Sequence, residues 1–141
     1  MQLIPPHPPR RPLEGLSDRE RKIWGGPVWD LHQAQLDLRE GRLRPLTTKN
    51  VSDALNTDLG WNLRDVKNGF QMLRPPHYNQ SEWVWLQGNA GEPLPADSDL
   101  LPCERTPDRD DTPPLDVRVY LKFTLPNPLL HIFFVSVHPS I

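Results

Sequence analysis

The sequence contains one cysteine, Cys103, so no disulfide can close within the chain and no cysteine pair can hold a metal. That count points to a reducing compartment or to indifference to redox. No apolar run approaches the ~20 residues that a membrane-spanning helix needs. The longest, Leu129 to Val137, is interrupted by His131 and Ser136. The first residues lack the apolar stretch of a signal peptide, and the cytoplasm is the expected location. Also missing are a glycine-rich phosphate loop, a nucleophile elbow around a serine and an HExxH zinc motif. The acidic run Asp108-Arg109-Asp110-Asp111 lacks the glycine and terminal glutamate of a calcium loop, so it reads as a solvated turn. Neither a metal nor a cofactor is expected. A net charge of only −2 argues against a general nucleic-acid binder.

Proline is what the chain has in excess, with 18 among 141 residues. Residues 1–13, with Pro5-Pro6-His7-Pro8-Pro9-Arg10-Arg11-Pro12, read as a flexible, extended arm, because proline fixes φ and removes donors. Residues 14–141 are assigned to one α+β domain. Ser17-Asp18-Arg19-Glu20 has capping-box spacing and predicts a short helix that Gly25-Gly26 ends. Pro27 then suits a first helical turn, with Leu31, Ala34 and Leu38 as one apolar stripe and Gly41 as the stop. Thr47 or Thr48 caps a third helix, containing Val51, Ala54 and Leu55 and closed by Gly60. Asn62 caps a fourth, with Leu63, Val66, Phe70 and Leu73 on one face and Pro75-Pro76 behind it.

Beyond the double proline the period changes. His77 to Leu86 reads as one or two strands. Residues 87–115 hold six prolines, show no periodicity and read as a long acidic, proline-rich insertion loop. Seven acidic and two basic residues give that segment −5, which leaves +3 for the rest of the chain. Asp116 to Leu125 is the clearest strand, with Val117, Val119, Leu121 and Phe123 alternating with Arg118, Tyr120, Lys122 and Thr124. Pro126-Asn127-Pro128 turns the chain, and Leu129 to Val137 returns as a strand buried on both faces. Helices first and an antiparallel sheet after them make an α+β pattern, N-terminal helices packed on a twisted sheet.

Alternate residues of a strand share a face about 6.5–7 Å apart. Arg118, Tyr120 and Lys122 therefore form a row of two cations with a phenol between them. Such a row suits a phosphate backbone with a stacked base, and it suits an RNA-cleaving site in which cations stabilise charge growing on phosphorus. The solvated face of any sheet shows the same residue types. His138, just past the last strand, and His77, just before the strand that contains Gln80, are the histidines placed for proton transfer. Trp24, Trp29, Trp61, Trp83 and Trp85 serve either base stacking or the core, and packing is expected of at least one of Trp83 and Trp85.

The order of these residues resembles a known family. Leu31-x-x-Ala34-x-x-x-Leu38-x-x-Gly41-x-Leu43-Arg44, then Thr57-Asp58-Leu59-Gly60-Trp61, then the helix to Leu73, is similar to the helical half of the MqsR-type (motility quorum-sensing regulator) RNA interferase toxins. Val119-Tyr120-Leu121-Lys122-Phe123-Thr124 resembles that family's VYLKIT strand, and Phe134-Val135-Ser136-Val137 its final strand. The likeness runs in order from about residue 28 to 138, with a small insertion near 45–48 and a large one within 87–115. It implies a RelE-like fold and an endoribonuclease that cuts messenger RNA without a metal, the RNA's own 2′-hydroxyl attacking the adjacent phosphorus. It also implies a paired antitoxin protein.

By the resemblance, Tyr120 matches the family's functional tyrosine and Lys122 the lysine two residues beyond it. Tyr78-Asn79-Gln80-Ser81-Glu82 aligns with a family segment whose third residue is a catalytic-type lysine, so Gln80 stands in its place. His138 falls where the family has a lysine near its C-terminus, and the family's Trp-Gln-Asp-Val-Tyr segment has no counterpart. The expected catalytic set is Tyr120, His138, Lys122 and Gln80, with Arg118, Lys122, Tyr78 and His77 binding RNA. The alternative is an inactive interaction protein on the same scaffold, meeting a protein partner through its sheet face or its acidic segment.

Overall fold

Ser17 opens the first helix as its spacing predicts: it accepts from Glu20 N while the Glu20 side chain accepts from Ser17 N, which caps α1 (Asp18–Arg21). The computed structural model describes residues 2–4, 6–8, 16–55, 59–86, 93–103 and 117–140. After α1 comes β1 (Lys22–Ile23), a two-residue strand without a sequence signature. The next helix, α2 (Leu31–Arg39), starts four residues beyond Pro27, and Asp30 is its cap. The reason is that the Val28 and Trp29 N–H groups are bonded to the Asp97 carboxylate, which holds the chain extended there. Gly41 follows α2 with φ +78°, a left-handed turn that suits a residue without a side chain.

β2 (Arg44–Thr47) leads to α3 (Lys49–Ala54), capped by Thr48, and Asn62 and Asp65 form a capping box on α4 (Leu63–Met72). Val66, Phe70 and Leu73 are fully buried, whereas Leu63 lies at the exposed margin of the stripe. The Phe70 ring meets Phe123 and Phe134 edge-on, at 5.0 and 5.6 Å between centroids, and ties the helical half to the sheet.

The remaining strands are β3 (Tyr78–Trp85), β4 (Pro93–Cys103), β5 (Val117–Asn127) and β6 (His131–Ser140). The protein is an α+β fold with an open six-stranded sheet in the order β1-β3-β4-β5-β6-β2. All neighbours are antiparallel except β2 and β6, which run parallel. One face of the sheet, with Trp83, Leu101, Val119, Leu121, Phe123, Phe134 and Val137, joins Trp61, Val66 and Phe70 in the core.

The expected loop at 87–115 is corrected at its centre: residues 93–103 are an inner strand of the sheet, while 87–92 and 104–115, with the run Asp108 to Asp111, lie outside the described residues. The register explains how a strand with three prolines can sit there. β4 pairs with β3 over Pro93–Asp99 and with β5 over Asp97–Cys103. Pro93 and Pro95 thus fall where β4 has one neighbour, and Pro102 where it has only the other. The doubly paired centre, Asp97-Ser98-Asp99, is free of proline, as a full ladder requires.

Two smaller expectations also change. β6 is buried on one face only: Ile132, Phe134 and Val137 are inside, Leu129 and Leu130 are exposed in the turn, and His138 belongs to the strand instead of following it. Part of the expected arm belongs to the body. Gln2 bridges to Trp29, Leu3 N donates to Val28 O at 2.5 Å and Ile4 packs against the core, while residues 1, 5 and 9–13 lie outside the described residues.

Candidate functional site

Pairing between β5 and β6 sets Arg118 opposite Ser140, Tyr120 opposite His138 and Lys122 opposite Ser136. Opposed residues of an antiparallel pair share a face, so these side chains stand together on the side away from the helices. Arg118 and His138 are exposed, and Tyr120 and Lys122 are half-buried. The Tyr120 and His138 rings stack at 4.8 Å with 18° between their planes. Lys122 Nζ lies 5.9 Å from the centre of the Tyr120 ring. His138 Nδ1 is 2.9 Å from the Pro139 carbonyl. A carbonyl can only accept, so this contact is a hydrogen bond when Nδ1 carries the proton; in the neutral ring Nε2 is then left as a proton acceptor.

Gln80 joins the same face through the row Gln80–Ser98–Lys122–Ser136, which crosses four strands. Two places along β3, Glu82 takes Lys122 as its ion-pair partner at 2.7 Å, with both side chains largely buried. This neutralisation has no local signature, because the partners are 40 residues apart. Beyond Gln80 and Glu82 the face opens into a groove of about 620 Å³, also lined by Arg19, Lys22 and Trp24. Trp24 is exposed, and Lys22 Nζ sits 4.3 Å from the centre of its ring.

Tyr78 and His77, expected to bind RNA with this group, are not part of it. A bulge between Tyr78 and Gln80 reverses the alternation, so Tyr78 faces the helices and its hydroxyl pairs with Ser81 Oγ at 2.7 Å. His77 ends a single 3-10 turn, Pro75–His77, where its Nδ1 accepts from Arg74 N. Among the described residues no hydrogen bond or ring contact joins it to Tyr120 or His138. Of the tryptophans, Trp83 is core and Trp85 is exposed at the end of β3.

A second constellation lies on the helix side of the sheet, on β4. The buried Asp97 carboxylate accepts from Val28 N (3.0 Å), Trp29 N (2.8 Å) and Ser81 Oγ (2.5 Å). Burial pushes its pKa above the ordinary carboxyl range, against those hydrogen bonds, which favour the charged form. Asp99, on the same face, is only 4% exposed and has no hydrogen-bond partner among the described residues. Burial, and then the charge of Asp97, push its carboxyl up to about 7. Burial likewise raises the Tyr78 phenol. The one signal in the sequence is the i, i+2 spacing of Asp97 and Asp99, which reads as two solvated carboxylates unless the segment is known to be an inner strand. Among the described residues no cluster of three or more histidine, cysteine or acidic side chains could hold a metal, and no helix is long and apolar enough to cross a membrane.

Comparison with protein-family models, with curated proteins and with solved structures finds no match for this chain.

Proposed function

We propose that the face around Tyr120 and His138 binds single-stranded RNA and cleaves it by attack of the 2′-hydroxyl on the neighbouring phosphorus, in the manner of the MqsR-type toxins, with an antitoxin protein as its partner. The observation that carries this reading is the stacked Tyr120–His138 pair with Arg118 and Lys122 beside it on an open sheet. His138 Nε2 takes the proton of the 2′-hydroxyl. The new oxygen–phosphorus bond displaces the 5′-oxygen, which leaves with a proton from Tyr120 and gives a 2′,3′-cyclic phosphate. Arg118 and Lys122 oppose the charge growing on the phosphoryl oxygens, and Gln80 orients them by hydrogen bonding. Trp24 and Lys22 extend the track, an aromatic ring and a cation for a further nucleotide.

Purified protein is expected to cut a long RNA in the presence of EDTA. His138→Ala should lower the rate about a hundredfold, the low end of what a proton-transfer group contributes. Tyr120→Phe, which keeps the stacked ring and removes the hydroxyl, should lower it too. RNA left intact by folded wild-type protein rejects the cleavage.

The Glu82–Lys122 ion pair favours a second reading, an inactive interaction protein on the same scaffold, because it occupies the cation that the phosphate needs. Glu82→Gln separates the two. If the face binds RNA, freeing Lys122 should tighten binding of an oligouridylate about fivefold at low salt, taking the pair as worth about 1 kcal/mol. It should also steepen the slope of log affinity on log salt by about 0.7, one phosphate contact on a single strand. Unchanged affinity and slope, measured by fluorescence anisotropy, favour the interaction protein.

A further inference from the structure

On the opposite side of the sheet from Tyr120 and His138, a cavity of about 310 Å³ reaches from the surface to Asp99. Its walls are apolar: Trp29, Leu31 and Phe123 line it, with Leu3, Pro27 and Pro75 exposed around its mouth. Its polar end is Asp99, an almost completely buried carboxyl without a hydrogen-bond partner among the described residues. Asp97, beside it, is already committed to Val28, Trp29 and Ser81.

We propose that this cavity binds a small organic amine, its ammonium group on the Asp99 carboxylate and an aromatic or branched apolar body between Trp29, Leu31 and Phe123. A buried carboxylate with no partner is costly, and the cost disappears when a cation is brought to it. An ammonium supplies the opposite charge and three donors, whereas a neutral alcohol supplies one donor and leaves the charge in place. A hard metal ion does not fit, since it requires about six oxygen ligands, and among the described residues no cluster of three or more acidic, histidine or cysteine side chains could hold one. The volume lies at the small end of ligand sites, which run from about 300 to 1,000 Å³, and matches a one-ring compound instead of a peptide. The other titratable groups at the cavity are Asp97 on the same strand, Tyr78 on β3, and Asp30 and His32 at the start of α2. Asp99 is the carboxyl among them without a hydrogen-bond donor among the described residues, and its protonation near neutral pH makes amine binding strengthen as the pH rises from 6 to 8.

Full-length protein is titrated calorimetrically with phenethylammonium, with its neutral isostere 2-phenylethanol and with the anion 3-phenylpropionate. The expected result is saturable one-to-one binding of the ammonium at pH 8, at least tenfold tighter than the alcohol, with the anion not bound. Asp99→Asn should bring the ammonium down to the affinity of the alcohol, and Leu31→Trp, which fills the cavity and keeps the carboxylate, should weaken both. Thermal melts confirm that each variant is folded. The selectivity of the wild type stands as a test by itself if a variant fails to fold. Absence of saturable ammonium binding to the wild type, equal affinity for ammonium and alcohol, or an Asp99→Asn protein that binds the ammonium as the wild type does would each overturn the proposal.

Discussion

Asp97→Ala is expected to destabilise the protein by about 3–5 kcal/mol, the range found when one partner of a buried charged network is removed. The substitution takes away the acceptor of three donors, Val28 N, Trp29 N and Ser81 Oγ, all of them on buried residues. Two of those donors lie in the segment that enters α2, so the same carboxylate fastens the helical half to the middle of the sheet. Some of the loss is offset because the desolvated charge is removed as well, since burial already raises the pKa of Asp97. The amide separates these contributions. In Asp97→Asn the remaining oxygen can accept from Val28 and Trp29, as one Asp97 oxygen does now, and the new NH₂ can donate to Ser81, whose hydroxyl turns to Tyr78. The Asn protein should therefore stay within about 1 kcal/mol of wild type, a single exchanged hydrogen bond. Urea denaturation at pH 7 checks both. An alanine variant as stable as the asparagine variant would mean that the three donors find other partners.

Two residues further along the strand the expected sign is the opposite. Asp99→Asn should stabilise the protein at pH 8 by up to about 4 kcal/mol, which is the linkage value of a carboxyl held at about 7 in the folded chain against 3.8 when free. Between about pH 4 and 7 the folded state keeps a proton on Asp99 that the unfolded chain has released. Stability from this group is thus fully present below pH 4, falls as the pH rises and is lost above 7. Asparagine does not titrate, so the two proteins should be alike at pH 4 or below and diverge as the pH rises toward 7. Melts at pH 4, 6 and 8 measure the divergence, and parallel curves for the two proteins would show that Asp99 is satisfied in solution.

The parts of the fold that could be read from the sequence are those specified by neighbours in the chain. Ser17 with Glu20, Thr48, and Asn62 with Asp65 are local capping patterns and stand where they were expected. The alternation from Val119 to Phe123 is a local period and holds as well. What could not be read depends on residues far apart. β1 and β2 are short strands whose partners lie about 60 and 87 residues away along the chain, and no two- or four-residue run carries that information. β4 contradicts every compositional rule for a strand, with three prolines and two aspartates among 11 residues, and only its staggered pairing makes it acceptable. The open face was legible because a single hairpin builds it: Arg118, Tyr120, Lys122 and His138 do come together. Tyr78 was misplaced by one bulged residue, and the Asp97–Asp99 site went unseen because it depends on β4.

The sheet's two outer strands are small. β1 offers a rim of two residues and β2 one of four, and Pro45 within β2 has no N–H to give. An extended peptide that tried to lengthen the sheet by backbone pairing would find too few positions to hold it on either rim. Any protein that docks on these rims must therefore be recognised by its side chains, and replacing those side chains while keeping the length of the backbone should abolish the complex.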